Sequence, residues 1–176
     1  MNSTYLNSLK NKSEIHIEMV CLGNICRSPM AAAVLHNKSS NLTKPKFLVS
    51  SSGTSDWHKG EGPNPNSLQV WESAGYKYEH VSRPFSADLF DQRDLILAMD
   101  LANRANILKS ARNIGYSDKV MMLRSFDPKL INLDTIAPDA DSLQVPDPWG
   151  EEITAYREVL QMVESSIDGL IKYFKD

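Results

Sequence analysis

This sequence predicts an α/β fold, a parallel sheet of about four strands with helices on both faces, on three observations. Short apolar stretches of strand length alternate with longer stretches of helical spacing, the order that crossovers between parallel strands impose. The first such stretch, residues 14–20, leads directly into a loop containing Gly23 and Asn24 and then a helix start. Open α/β sheets bind ligands at such a junction, beyond the carboxyl end of a strand. The chain ends in an amphipathic helix from Glu151, with Tyr156, Val159, Leu160, Val163, Ile167, Leu170, Ile171 and Phe174 at helical spacing.

The elements follow in order. Residues 1–13 are polar and are expected to be a flexible N-terminal extension, with residues 14–176 forming one domain. Residues 14–20 alternate polar and apolar side chains and then turn apolar, as a strand does. Ser28 and Pro29 read as a hydroxyl N-cap and a proline at the first helical position, opening a helix to about Asn37 with Met30, Ala33 and Val34 inward. Residues 47–51 form a second strand. Residues 52–66 are rich in Gly, Pro, Ser and Asn and form a long loop of the kind that often carries function. A helix over 66–74 stops at Gly75, and 86–90 is a helical turn. Residues 94–99 read as a buried strand, 101–113 as a helix closed by Gly115, and 119–123 as the fourth strand. Residues 124–150 are irregular, punctuated by four prolines.

Bulk properties bound the function. A chain of 176 residues can bury one sizeable core, and 41% hydrophobic with 23% charged residues is ordinary for a globular domain. A net charge of −3 gives no general attraction to nucleic acid or to an anionic membrane, so neither is expected as a partner. Any affinity for anions must be local. No apolar run approaches the roughly 18 residues that span a bilayer, and the polar N-terminus lacks the apolar core of a signal peptide, so a cytoplasmic location is expected. The two cysteines share one loop, which suits a functional pair better than a disulfide framework. There is no Cys/His cluster at metal-ligand spacing, and no metal or organic cofactor is expected.

The chemistry concentrates in Cys21–Leu22–Gly23–Asn24–Ile25–Cys26–Arg27–Ser28. A loop entering a helix N-terminus collects unpaired N–H groups and the positive end of the helix dipole. Gly23 and Asn24 are residue types that tolerate positive φ and let the backbone curl. Amides and a guanidinium around one point favour a thiolate over a thiol, and the planar fork of Arg27 can grip two phosphoryl oxygens. The expected object is a phosphate cradle with Cys21 as the nucleophile at its floor. It is not a nucleotide-binding P-loop, having no second glycine followed by Lys-Ser or Lys-Thr.

A thiolate attacking a phosphate monoester needs a proton donor for the leaving oxygen. Asp147 is the best candidate, stiffened between Pro146 and Pro148 and set beside the aromatic Trp149. Asp56, next to Trp57 in the other long loop, is second. His58 and His80 read more simply as a surface histidine and a hydrogen-bonding one.

The run Val20 to Pro29, V-C-L-G-N-I-C-R-S-P, closely resembles the signature loop of the low-molecular-weight protein tyrosine phosphatases. The similarity continues through residues 51–58, His80 with Arg83, residues 97–100 and Asp147-Pro148. The resemblance implies a single-domain, three-layer α/β/α fold with a four-stranded parallel sheet, flavodoxin-like and of the phosphotyrosine phosphatase I type. It implies that Cys21 becomes phosphocysteine, Arg27 clamps the phosphoryl oxygens, and Asp147 serves as general acid and then base. Ser28 matches the hydroxyl bonded to the nucleophile, and Asn24 the strained loop residue braced by Ser51 and His80. Cys26 matches the second loop cysteine, which can trap oxidised Cys21 as a disulfide. Leu22, Trp57 and Trp149 match the apolar walls, and with Gly23, Ile25 and Cys26 they make up the expected substrate pocket. The expected partner is a phosphotyrosine-containing protein; nothing in the sequence sets an oligomeric state.

Departures from the family also stand out. Trp149-Gly150 replaces a common pair of tyrosines, Ala32 replaces a frequent glutamate, and Ser50 stands where the family is often acidic. Arsenate reductases resemble this chain but need downstream cysteines, and none follows Cys26. Arginine phosphatases typically carry threonine at the position of Ile25. A phosphoryl carrier should lack a water-activating acid such as Asp147, and a silent phosphotyrosine-binding module should lose Cys21, Arg27 or Asp147.

Overall fold

In the computed structural model, which describes residues 3–136 and 138–175, the strands are β1 (Glu14–Cys21), β2 (Lys46–Gly53), β3 (Leu95–Ala98) and β4 (Val120–Met122). They pair entirely in parallel in the order β2-β1-β3-β4. The helices are α1 (Ser3–Leu9), α2 (Arg27–Lys38), α3 (Pro65–Ser73), α4 (Leu89–Gln92), α5 (Leu101–Lys109) and α6 (Ile153–Lys175), with 3₁₀ turns at Ile114–Lys119, Leu123–Phe126 and Ala140–Leu143.

Alternation along the strands assigns the layers. Ile15, Ile17, Met19 and Cys21 of β1 pack with α2, α3 and α6 on one face. Val20 joins Ile96, Ala98, Val120 and Met122 against Phe90 and Ile107 on the other. Short β3 is buried on both sides, as a central parallel strand must be. The stripe expected on α6 is buried, save Ile171 at its edge. Each fully buried aliphatic side chain contributes about 1.5–3 kcal/mol, so this helix is a major part of the core.

From β1 the chain turns to β2 on one side, then crosses to β3 on the other. The loops leaving β1 and β3 therefore diverge, and a crevice opens between them at the carboxyl edge. The loop after β1 occupies that crevice.

Three expectations are corrected. Residues 3–9, expected to be loose, form α1: Leu6 and Leu9 are buried, Tyr5 Oη donates to Asp94 O at 2.7 Å, and Lys12 pairs with Asp94 at 2.6 Å. Two leucines at i and i+3 suffice to dock a short helix, a signal the polar composition obscures. Residues 1 and 2 of the expected extension lie outside the described residues. Second, α2 begins at Arg27 with Cys26 as its cap and no side-chain capping bond. The Ser28 hydroxyl is occupied in the loop instead of capping. Third, α5 stops at Lys109, where Ser110 caps it, and Gly115 lies in a 3₁₀ turn.

Candidate active site

The loop Cys21–Arg27 is shaped by bonds made on its outer side. Cys21 O accepts from Thr54 N (2.9 Å), Leu22 O from Ser55 N (3.0 Å), and Gly23 O from Ser82 Oγ (3.1 Å). Asn24 O accepts from His80 Nε2 (2.7 Å), Ile25 O from Asn64 N (2.8 Å), and Cys26 O from Ser67 Oγ (2.8 Å). In a planar trans peptide the N–H points opposite to the preceding carbonyl. Six carbonyls held outward therefore turn the N–H groups that follow them inward, and that of Asn24 reaches Cys21 Sγ. Because a carbonyl only accepts, the proton of neutral His80 sits on Nε2. Burial pushes the His80 pKa below its usual value and Arg83 pushes it the same way, while the bond to Asn24 O opposes them.

Asn24 is the hinge of the curl, with φ of +57°. Its Nδ2 donates to Ser28 Oγ at 2.8 Å and to Ser51 Oγ at 2.9 Å, and its Oδ1 accepts from Arg83 N at 2.9 Å. Gly23 does not use positive φ; its need is space, because an added Cβ would lie 3.0 Å from His58 Cδ2. Gly53 on β2 is tighter, with an added Cβ 2.6 Å from Leu22 O and 3.1 Å from Asn24 N.

Cys21 Sγ accepts from Asn24 N at 3.2 Å and lies 3.0 Å from Ser28 Oγ. Ser28 Oγ receives the Asn24 amide and has Ser52 O only at 3.5 Å, so sulfur is the nearer acceptor for its hydrogen. Cys26 is different. Burial, then Cys21 and Asp147, push its pKa up to about 12, and it stays a thiol beside Tyr156.

Arg27 is almost fully buried behind the loop. Its Nη1 donates to Asp100 Oδ2 (2.7 Å) and Val145 O (3.0 Å), and its Nη2 to Asp147 Oδ2 (2.8 Å). Burial opposes its charge, but facing Cys21, Asp147 and Asp100 outweigh that and raise the pKa further. Among the described residues, Arg27 Nε is buried without a hydrogen-bond partner. An unmet charged donor costs about 1–3 kcal/mol or more, which an oxyanion within reach would recover. Asp147 is carried there because Val145 N bonds Met99 O at the end of β3 (2.7 Å), and Trp149 N closes a turn onto Asp147 Oδ1 (3.3 Å).

A pocket of about 160 Å³ opens above the thiol, lined by Cys21, Leu22, Gly23, Ile25, Cys26, Trp57, His58, Asp147 and Trp149. All six residues expected to contact substrate line it. Trp57 and Trp149 stand at the mouth, 71% and 65% exposed, free to receive a planar group. Asp56, the second candidate acid, is not among the lining residues. Three contributors had no site role in the sequence. Asp100 holds Arg27, and its position directly after a buried strand was the available signal. His58, read as a surface histidine, lines the pocket and bonds Glu61 Oε2 at 2.8 Å. The third, Arg83, stood with His80 in the family resemblance but carried no role there. Among the described residues no group of three or more His, Cys, Asp or Glu is placed to hold a metal ion.

The structure thus sets a cysteine-centred loop at the switch point of an open parallel sheet. The sequence profile described as low molecular weight phosphotyrosine protein phosphatase matches residues 16–176. A low molecular weight protein-tyrosine-phosphatase of Streptomyces coelicolor is 35% identical over 153 residues, 86% of this chain and 88% of that one. A protein tyrosine phosphatase of Entamoeba histolytica superposes with a TM-score of 0.78 at 30% identity, covering 92% of this chain and 97% of that one. An arginine phosphatase of Geobacillus stearothermophilus gives 0.74 at 28% identity, covering 92% and 93%. This chain belongs to the low molecular weight phosphotyrosine protein phosphatase family, an enzyme family. Among the described residues no helix is long and apolar enough to cross a membrane.

Proposed function

We propose that this protein hydrolyses phosphotyrosine in proteins, and aryl phosphates generally, through a phosphocysteine on Cys21. The observation that carries the reading is Cys21 Sγ at the mouth of α2, receiving Asn24 N at 3.2 Å inside a loop whose six carbonyls are bonded on its outer side, with Arg27 behind it. The Cys21 thiolate attacks phosphorus, and the bond to the aryl oxygen breaks. Protonated Asp147 gives its proton to that oxygen. The carboxylate then takes a proton from water as the water attacks phosphocysteine, releasing inorganic phosphate and restoring the thiolate. Inward N–H groups and Arg27 stabilise the charge on the equatorial oxygens.

Asp147 and a bound phosphoryl group compete for one edge of Arg27, since Oδ2 lies 2.8 Å from Nη2. Entry of the phosphate ester as its monoanion releases the carboxylate toward the leaving oxygen, where it takes up the ester's own proton, so binding and formation of the acid are one event. The walls favour a phenyl ring: Ile25 is apolar and nearly buried, and the two tryptophans flank the mouth. Phosphoserine would leave them empty. The likeness to an arginine phosphatase makes phosphoarginine the competitor to exclude.

The test is phosphate release from p-nitrophenyl phosphate without added metal, in wild type, Cys21→Ser and Asp147→Asn. Matched phosphotyrosine, phosphoserine and phosphoarginine peptides follow. The expected result is no activity in Cys21→Ser and preference for phosphotyrosine. Activity surviving Cys21→Ser would overturn the mechanism, and preference for phosphoarginine would overturn the substrate.

A further inference from the structure

Glu18 is fully buried in the middle of β1, three residues before the nucleophile, in a strand that is otherwise apolar at that depth. Nothing described so far uses it. A buried carboxylate persists only if its lone pairs are met, and those of Glu18 are met from three separate segments. Ser50 Oγ, its register partner on β2, donates at 2.6 Å. Arg83 Nη2 spans both oxygens at 2.9 and 3.1 Å, and Arg93 Nε donates at 3.0 Å.

Arg83 is also the link to the loop. Its Nε donates to Ser51 O at 3.1 Å and its backbone N to Asn24 Oδ1 at 2.9 Å. Asn24 in turn donates to Ser51 Oγ, to Ser28 Oγ and, through its backbone, to Cys21 Sγ. A continuous chain of hydrogen bonds thus runs from Glu18 through Arg83 to Asn24, and ends at the sulfur. Side-chain Oδ1 and Nδ2 are both engaged, so Arg83 fixes which way the Asn24 amide faces, and that fixes the hydroxyl of Ser28. Without its carboxylate, Arg83 is a half-exposed guanidinium with no anion to hold it in register.

We infer that Glu18 is a positioning residue for the Cys21 nucleophile, acting through Arg83 on Asn24 and so on the donors aimed at sulfur. This rests on the phosphatase reading for its kinetic readout, not for its chemical one.

The experiment compares Glu18→Gln, Asn24→Ala, their double variant, and Glu18→Gln/Ser50→Asp. The last returns a carboxylate to the same two arginines from the facing strand. Glu18→Gln is expected to lower kcat/KM for p-nitrophenyl phosphate by about 10- to 100-fold, the scale of a nucleophile displaced by a remote change. Adding it to Asn24→Ala should cost little more, because both act through one residue. Glu18→Gln/Ser50→Asp should regain most of the loss, which a merely damaged core would not. Folded Glu18→Gln within twofold of wild type, or fully additive losses, would overturn the inference. Should Glu18→Gln fail to fold, Arg83→Gln is made at a side chain 43% exposed and is expected to show the same loss and the same non-additivity; full activity there overturns it equally. Iodoacetamide alkylation of Cys21, followed by mass spectrometry, gives a readout independent of catalysis. If wild type hydrolyses nothing, the phosphatase reading fails, while slowed alkylation in Glu18→Gln, restored by Ser50→Asp, still upholds the link and unchanged alkylation refutes it.

Discussion

Gly53→Ala is one methyl group, placed on a strand and not on the loop it should disable. An ideal Cβ at Gly53 would stand 2.6 Å from Leu22 O and 3.1 Å from both Asn24 N and Gly23 C, where ordinary contact begins near 3.4 Å. The loop must therefore retreat by roughly 0.8 Å, or β2 must. β2 cannot easily move: Gly53 N donates to Arg83 O at 2.9 Å, Gly53 O accepts from Phe85 N at 2.7 Å, and Gly53 pairs with Cys21 in the sheet. The loop has little more freedom, with its carbonyls bonded on the outer side. Overpacking of this kind costs about 1–3 kcal/mol. The yielding part is the peptide between Leu22 and Asn24, and Asn24 N is the donor to Cys21 Sγ. A displacement approaching 1 Å at the reacting group costs on the order of 100-fold in rate. Gly62→Ala is the control, because its added Cβ meets nothing within 4 Å. Steady-state hydrolysis of p-nitrophenyl phosphate and urea unfolding measure the two effects. If Gly53→Ala folds and keeps kcat within about twofold of wild type, the claim that this approach shapes the loop is wrong.

Three further outcomes follow from the geometry. Asp147→Asn should lower kcat by about 10²- to 10⁴-fold while inorganic phosphate inhibits more strongly, because Arg27 Nη2 loses its anionic competitor; unchanged inhibition would refute the competition. His80 has a folded pKa below its unfolded value near 6.5, so the native state binds fewer protons than the unfolded chain in that window. Its contribution to stability is complete above about pH 6.5 and is lost as pH falls toward the folded pKa, and urea midpoints at about pH 7.5 and about pH 5 should diverge less in His80→Gln than in wild type. Leu6→Ala empties a fully buried position of α1, far from the pocket, and should cost about 2–5 kcal/mol of stability with kcat/KM unchanged; an unaltered urea midpoint would show that α1 is not docked.

What could be read from the sequence depended on whether an element's partners lay nearby in the chain. The nucleophile, the strained residue, the arginine and the start of the helix behind them fall within the eight positions 21–28, and a strand–loop–helix junction turns such a run into a pocket almost by itself. The long stripe on α6 is likewise a local pattern, and its buried face followed from spacing alone. The errors fall where meaning depends on partners far away. Ser28 has the chemistry of a cap, but its hydroxyl is drawn to a thiol seven residues back and an amide held by Ser51. Leu6 and Leu9 look isolated in a polar segment until the edge of the core is there to receive them. Glu18 is the sharpest case. A glutamate in a strand suggests a solvated face, and only the convergence of Ser50, Arg83 and Arg93, 32 to 75 residues away, makes burial tolerable. A reactive loop of eight residues announces its chemistry, but the precision of that loop is set by groups whose only common property is where the fold puts them. Substitutions at those remote groups, and not at the signature, are therefore where relatives sharing one loop can differ in rate.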